Sequence, residues 1–117
     1  MRVLLDQGAP RGLLKTLADC VVATAASKGW ERLKNGELLN AAEVDGFDLL
    51  ITTDANLRYQ QNLSSRTISI IVLTGDTRWS SVRDNLGAVR EAVDMVTVGS
   101  FAEVQTPLKP KPPRRHS

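Results

Sequence analysis

Apolar residues along this chain fall into short runs separated by polar turns, and the runs switch between two periods. Val3-Leu4-Leu5 is a continuous apolar stretch closed by Asp6 and a turn containing Gly8 and Pro10, and it predicts a short buried strand. Leu13, Leu14 and Leu17 then recur at helical spacing, predicting a helix over 10–18 with Pro10 at a tolerated early position. Residues 20–24 are apolar and β-branched enough for a second strand, whereas 25–34 show no clear period. Asn35 is placed to cap a helix carrying Glu37 in its first turn and Leu38, Leu39, Ala41 and Ala42 on its apolar side, with Gly46 at its end. Two further strands are expected over 48–53 and 68–73. An amphipathic helix over 79–94 would present Val82, Leu86, Val89 and Val93. An edge strand is expected at 96–98 or 101–104.

Strands that alternate with helices imply right-handed crossovers and a mainly parallel sheet covered on both faces. The expected fold is therefore α/β: one domain over 1–105, with four to five strands between helical layers in a Rossmann-like three-layer arrangement. A length of 117 residues suits a single core. In such folds ligands gather beyond the carboxyl ends of the strands. Asp6 and Asp54 are each the first charged residue after a buried apolar run.

Charge alters this picture once it is divided along the chain. The formal net charge is +2, but the last nine residues, KPKPPRRHS, hold four bases and no acid. The body keeps 11 basic against 13 acidic residues, so it is slightly acidic and does not read as a basic nucleic-acid surface. Residues 106–117 form a basic, Pro-rich tail expected to be disordered, with solubilisation the first role to consider and phosphate contact the second. No apolar run approaches the roughly 20 residues needed to span a bilayer, and the short apolar stretch at the start does not suit a signal peptide. Cys20, the single cysteine, lies among apolar neighbours as a buried thiol would, and a cytoplasmic location is expected.

Several chemistries are disfavoured outright. The only histidine, His116, lies in the tail, so a Ser-His-Asp or Cys-His site has no internal base. One cysteine without a nearby histidine does not build a zinc site, and neither G-x-x-x-x-G-K-[ST] nor G-x-G-x-x-G occurs. Two carboxylates at neighbouring strand ends, by contrast, can share a hard cation such as Mg²⁺. Glu37, at the start of the helix that leads into the Asp54 strand, is the candidate third ligand. Each acid also has an ordinary structural role open to it: Asp6 and Asp54 as helix caps, Glu37 as a surface residue favoured by the helix dipole. Turns and strand starts suffice to explain Asp45, Asp48 and Asp76.

The stretches "RVLLDQGAPRGL", "GWERLKNGELLNAAEVDGFDLLITTDANLRYQQNL" and "ISIIVL" together resemble a family of small PIN-like proteins of unknown function. Members of that family typically start L-L-D-[EQ]-N-L-P and carry N-G-E-L-L and T-x-D; the likeness covers residues 1–104. The resemblance implies a PIN-like domain related to metal-dependent nucleases, many of them ribonuclease toxins of toxin–antitoxin pairs. It implies Asp6 and Asp54 as catalytic metal ligands for Mg²⁺ or Mn²⁺, with Glu37 as the substitute for the family's intermediate acid. Asn35, Asn56 and Gln61 would orient water or bind substrate. RNA would be the substrate, with an antitoxin protein as partner; the apolar Leu and Val content separately favours a homodimer. Asn35 stands where many relatives carry Asp, and Gly8-Ala9 replaces the usual Asn-Leu. These departures keep open a second function, a PIN-like module without catalysis that binds RNA or a protein partner.

Overall fold

A computed structural model of the chain describes residues 1–17, 19–57 and 66–107, apart from the Asn35 side chain. Its elements run β1 (Arg2–Leu5), α1 (Leu13–Thr16), β2 (Val21–Thr24), a 3-10 turn (Ala26–Lys28), α2 (Asn35–Val44), β3 (Leu49–Thr52), β4 (Ser69–Gly75), α3 (Trp79–Asp84), α4 (Leu86–Asp94) and β5 (Phe101–Thr106). The five strands among the described residues form one sheet in the order β2-β1-β3-β4-β5, and every pairing is parallel. The α/β class expected from alternation is the class observed. No helix among the described residues is long and apolar enough to cross a membrane.

Strand alternation splits the core in two. Val3, Leu5, Leu49, Ile51, Ile71 and Leu73 face one side, where Leu13 and Leu17 pack from α1 and its exit, and Val82, Val89 and Val93 from α3 and α4. Leu4, Leu50, Ile70 and Val72 face the other side, against Leu38, Leu39 and Ala42 of α2 and against Leu57 just beyond β3. The chain therefore leaves β1 towards one face and β3 towards the opposite face. This change of side opens a crevice at the carboxyl ends of β1 and β3, the place where open α/β sheets hold ligands.

Several boundaries move from their expected positions for identifiable reasons. α1 shrinks to Leu13–Thr16 because the preceding turns close with i+3 bonds from Leu13 to Pro10 and from Leu14 to Arg11, and Leu14 is left exposed. The single helix expected over 79–94 breaks at Asn85, whose side-chain amide donates to the Ser81 carbonyl at 2.8 Å. An Asn amide that competes in this way for helical carbonyls weakens the helix at its own position. The cap of α2 is Lys34 rather than Asn35, and Gly46 ends that helix in the left-handed region, φ +87°. Cys20 is half-buried, not buried. The edge strand is the 101–106 alternative, and Thr106 belongs to it; its buried hydroxyl lies 2.8 Å from the Thr74 carbonyl and 2.6 Å from that of Asp76. Residues 108–117 of the expected tail lie outside the described residues.

At the amino end of the sheet, acids are matched to cations and backbone donors. The Asp48 carboxylate accepts the Arg2 N–H at 2.8 Å, and Asp45 pairs with Arg2 and Lys28, each at 3.1 Å. Glu43 reaches from α2 to the start of β4, accepting from Arg66 at 2.7 Å and from the Thr67 N–H and hydroxyl at 2.8 Å each. Burial alone would raise the Glu43 carboxyl, but Arg66, Thr67 and Ile68 together outweigh it and hold it at about 2 against an ordinary 4.5.

A carboxyl depressed on folding stabilises above its unfolded pKa and loses that contribution as pH falls through the folded value. Glu43→Gln should therefore be least stable relative to the wild type near neutrality. The gap should narrow between pH 4.5 and about 2, as urea midpoints measured across that range would show. A gap that does not change with pH contradicts the clamp.

Candidate functional site

β1 and β3 pair in register, Leu5 opposite Ile51, so the residues that follow each strand emerge side by side. The Asp6 N–H continues the ladder to the Ile51 carbonyl at 3.0 Å, which fixes the backbone of Asp6 against β3. Its side chain accepts two bonds: the Thr52 hydroxyl donates to Oδ2 at 2.9 Å and the Gln7 N–H to Oδ1 at 2.8 Å. Thr52 is fully buried, and its Oγ1 also accepts the Asp54 N–H at 3.1 Å. One hydroxyl thus ties the Asp6 carboxylate to the backbone of Asp54. Asp6 does not cap the first helix, whose cap position is Gly12.

Asp54 does take the structural role open to it. Its Oδ1 accepts the Asn56 N–H at 3.0 Å and its carbonyl accepts the Leu57 N–H at 3.2 Å, an Asx turn that starts the next segment. Asn56 lies in that turn and is exposed. Gln61, with Tyr59, Gln60 and Asn62, lies outside the described residues.

Glu37 is on the right element at the right end, because α2 must carry the chain from the carboxyl end of β2 to the amino end of β3. It is exposed in the first turn of α2. Even so, no three His, Cys, Asp or Glu side chains among the described residues come together as a group able to hold a metal ion. Asp6 and Asp54 are brought together through Thr52, and Glu37 does not complete a three-acid cluster with them. A cage of protein ligands is thus not formed among the described residues; the mode of binding open to Mg²⁺ with so few acids is one or two carboxylates with water in the remaining positions. Asn35 begins α2 at the same end.

The departure from D-x-N-L-P has a packing reason. A Cβ at Gly8 would run into the Thr53 hydroxyl, so the loop after β1 lies directly on the residue after Thr52. Ala9 is buried in the first core cluster, and its N–H returns to the Asp6 carbonyl at 3.0 Å. On the other side of Asp6 the surface opens into a cleft of about 280 Å³ lined by Asp6, Gln7, Ala9, Arg11, Thr24 and Ala26. Asp76, at the end of β4, is committed elsewhere. Its buried carboxylate accepts from Arg78 at 2.9 and 2.8 Å and from the Ser81 hydroxyl at 2.5 Å. The Arg78 guanidinium and then Ser81 hold that carboxyl well below the usual carboxylate range.

Two of these residues escape a reading of the sequence. Thr52 looks like any strand threonine, and its only signal is the spacing of two to Asp54 in "TTD". Arg11 reads as a surface residue in a turn until the fold sets it beside Asp6. No family model matches the chain, and neither a curated protein nor a solved structure matches it significantly.

Thr52→Val keeps the shape of the side chain and removes the hydroxyl, leaving Asp6 Oδ2 and the Asp54 N–H each one partner short. The variant should lose about 1–3 kcal/mol in urea unfolding. A midpoint unchanged from the wild type would show that Thr52 does not tie the two strand ends together.

Proposed function

We propose that the chain is a PIN-type ribonuclease dependent on Mg²⁺ or Mn²⁺, acting as the toxin of a toxin–antitoxin pair. The observation that carries this reading is the pair Asp6 and Asp54, joined through buried Thr52 where the connections from β1 and β3 part to opposite faces. The sequence likeness to PIN-like proteins supports the same assignment. A divalent cation bound there would neutralise charge on a phosphodiester and lower the pKa of a coordinated water. Asp6 would ligate through the lone pairs left free by Thr52 and Gln7, and Thr52 would keep the carboxylate from rotating away. Asp54 would ligate from the opposite strand end, oriented by the Asx turn with Asn56. Asn35, Asn56 and Gln61 remain the amides assigned to water or substrate, and Glu37 the acid assigned to approach from α2. As a toxin the protein would work in the cytoplasm, with an antitoxin protein as partner and a homodimer as the assembled form.

A second reading has its own support. Two acids at neighbouring strand ends without a third among the described residues suit a module that binds RNA or a protein partner and cleaves nothing.

Calorimetric titration with Mn²⁺ and an RNA cleavage assay separate the two. Wild type should bind Mn²⁺ and cleave RNA in a metal-dependent way. Asp6→Asn and Asp54→Asn should each lose at least about tenfold in metal affinity and about 100-fold in cleavage rate. Mn²⁺ binding without cleavage would select the second reading. No binding by wild type, or binding unchanged in both variants, would remove the metal site. Cleavage that persists in Asp54→Asn would identify a contaminating nuclease.

A further inference from the structure

Among the residues lining the cleft at Asp6, Arg11 is the one cation. Arg2 and Lys28 pair with Asp45, Arg66 with Glu43 and Arg78 with Asp76. Arg11 pairs with no carboxylate among the described residues, although it lines the same cleft as Asp6. A guanidinium that lines a cleft without an ion pair can take an anion there.

The base of Arg11 is fixed. It follows Pro10, its carbonyl accepts the Leu14 N–H at 3.0 Å, and the Pro10 carbonyl accepts the Leu13 N–H at 3.2 Å. Anchoring of this kind lowers the entropy lost when the side chain grips a ligand. The opposite wall is the end of β2, where the Thr24 hydroxyl accepts the Ser27 N–H at 3.0 Å and keeps its own proton to donate. At about 280 Å³ the cleft is smaller than pockets for drug-sized ligands, and its size suits a small charged group. A planar guanidinium beside a hydroxyl donor matches the geometry of a phosphodiester better than that of an uncharged group.

We propose that Arg11 grips a backbone phosphate of the RNA substrate in the cleft between the ends of β1 and β2, adjacent to the phosphodiester held at Asp6. This rests on the ribonuclease reading for the identity of the ligand and not for the binding itself. Arg11 is a substrate-binding residue, and it sets which side of Asp6 the RNA strand crosses.

The test is fluorescence anisotropy with a labelled oligouridylate and full-length protein, with Ca²⁺ replacing Mg²⁺ so that cleavage does not interfere. Arg11→Gln should weaken binding by about tenfold and reduce the slope of log affinity against log salt by about 0.7, as loss of one phosphate contact on a single strand requires. Arg11→Lys should retain part of the affinity, since the charge remains and the fork is lost. Arg83→Gln, which removes an exposed charge from α3, should change affinity less than about twofold. Equal losses in Arg11→Gln and Arg83→Gln, or no binding by wild type, would overturn the assignment. Mn²⁺ calorimetry on the same samples separates the two proposals. Wild type that binds oligouridylate through Arg11 but takes up no Mn²⁺ would retain this inference and remove the metal-dependent nuclease.

Discussion

One buried hydroxyl sets the geometry at the carboxyl end of this sheet. Thr52 Oγ1 donates to the Asp6 carboxylate and accepts from the Asp54 N–H, so it uses both of its hydrogen-bonding roles on the two strands that flank the crevice. The parallel register of β1 and β3 makes this possible by bringing Asp6 and Thr52 out at the same height. Gly8 then lets the β1 loop settle against Thr53, closing the crevice on that side and leaving the approach to Asp6 open towards β2. The direction in which a ligand can reach the acid pair follows from these contacts.

The acids divide by the kind of partner they receive. Glu43 and Asp45 bind cations at the amino end and Asp76 binds Arg78 at the end of β4, and all three carboxyls are shifted down. They act as structural ties between elements: α2 to β4, the end of α2 to the start of β1, and β4 to α3. Asp6 is bonded by a hydroxyl and a backbone N–H, neutral donors that orient a carboxylate without cancelling its charge. An acid held in that manner keeps its attraction for a cation, which distinguishes it physically from the ion-paired acids elsewhere in the fold.

Much of the fold was legible in the sequence because it depends on local patterns. The runs Val3–Leu5, Leu49–Ile51 and Ile70–Leu73 are buried on both faces and read as strands, and Gly46 marks the end of α2. Asp6 and Asp54 could be placed at strand ends from the first charge after each run. What was not legible depends on neighbours distant in sequence. Asn85 breaks its helix through one side-chain bond, and a pattern of apolar positions carries no trace of it. Glu37 starts the helix that leads into β3, yet helix phase and loop path decide whether it reaches the pair, and it joins no three-acid cluster among the described residues. Thr52 and Arg11 gain their importance only once β1 and β3 are side by side and the β1 loop has turned towards β2.

Asp6 and Asp54, set by Thr52, are the proposed divalent-cation site. Anomalous diffraction from crystals grown with Mn²⁺ tests it most directly. The expected result is a manganese peak within coordination distance of carboxylate oxygens from both Asp6 and Asp54, and loss of that peak in Asp6→Asn crystals. Absence of a peak there in the wild type, or a peak at Asp76 or at the amino end of the sheet instead, would contradict it.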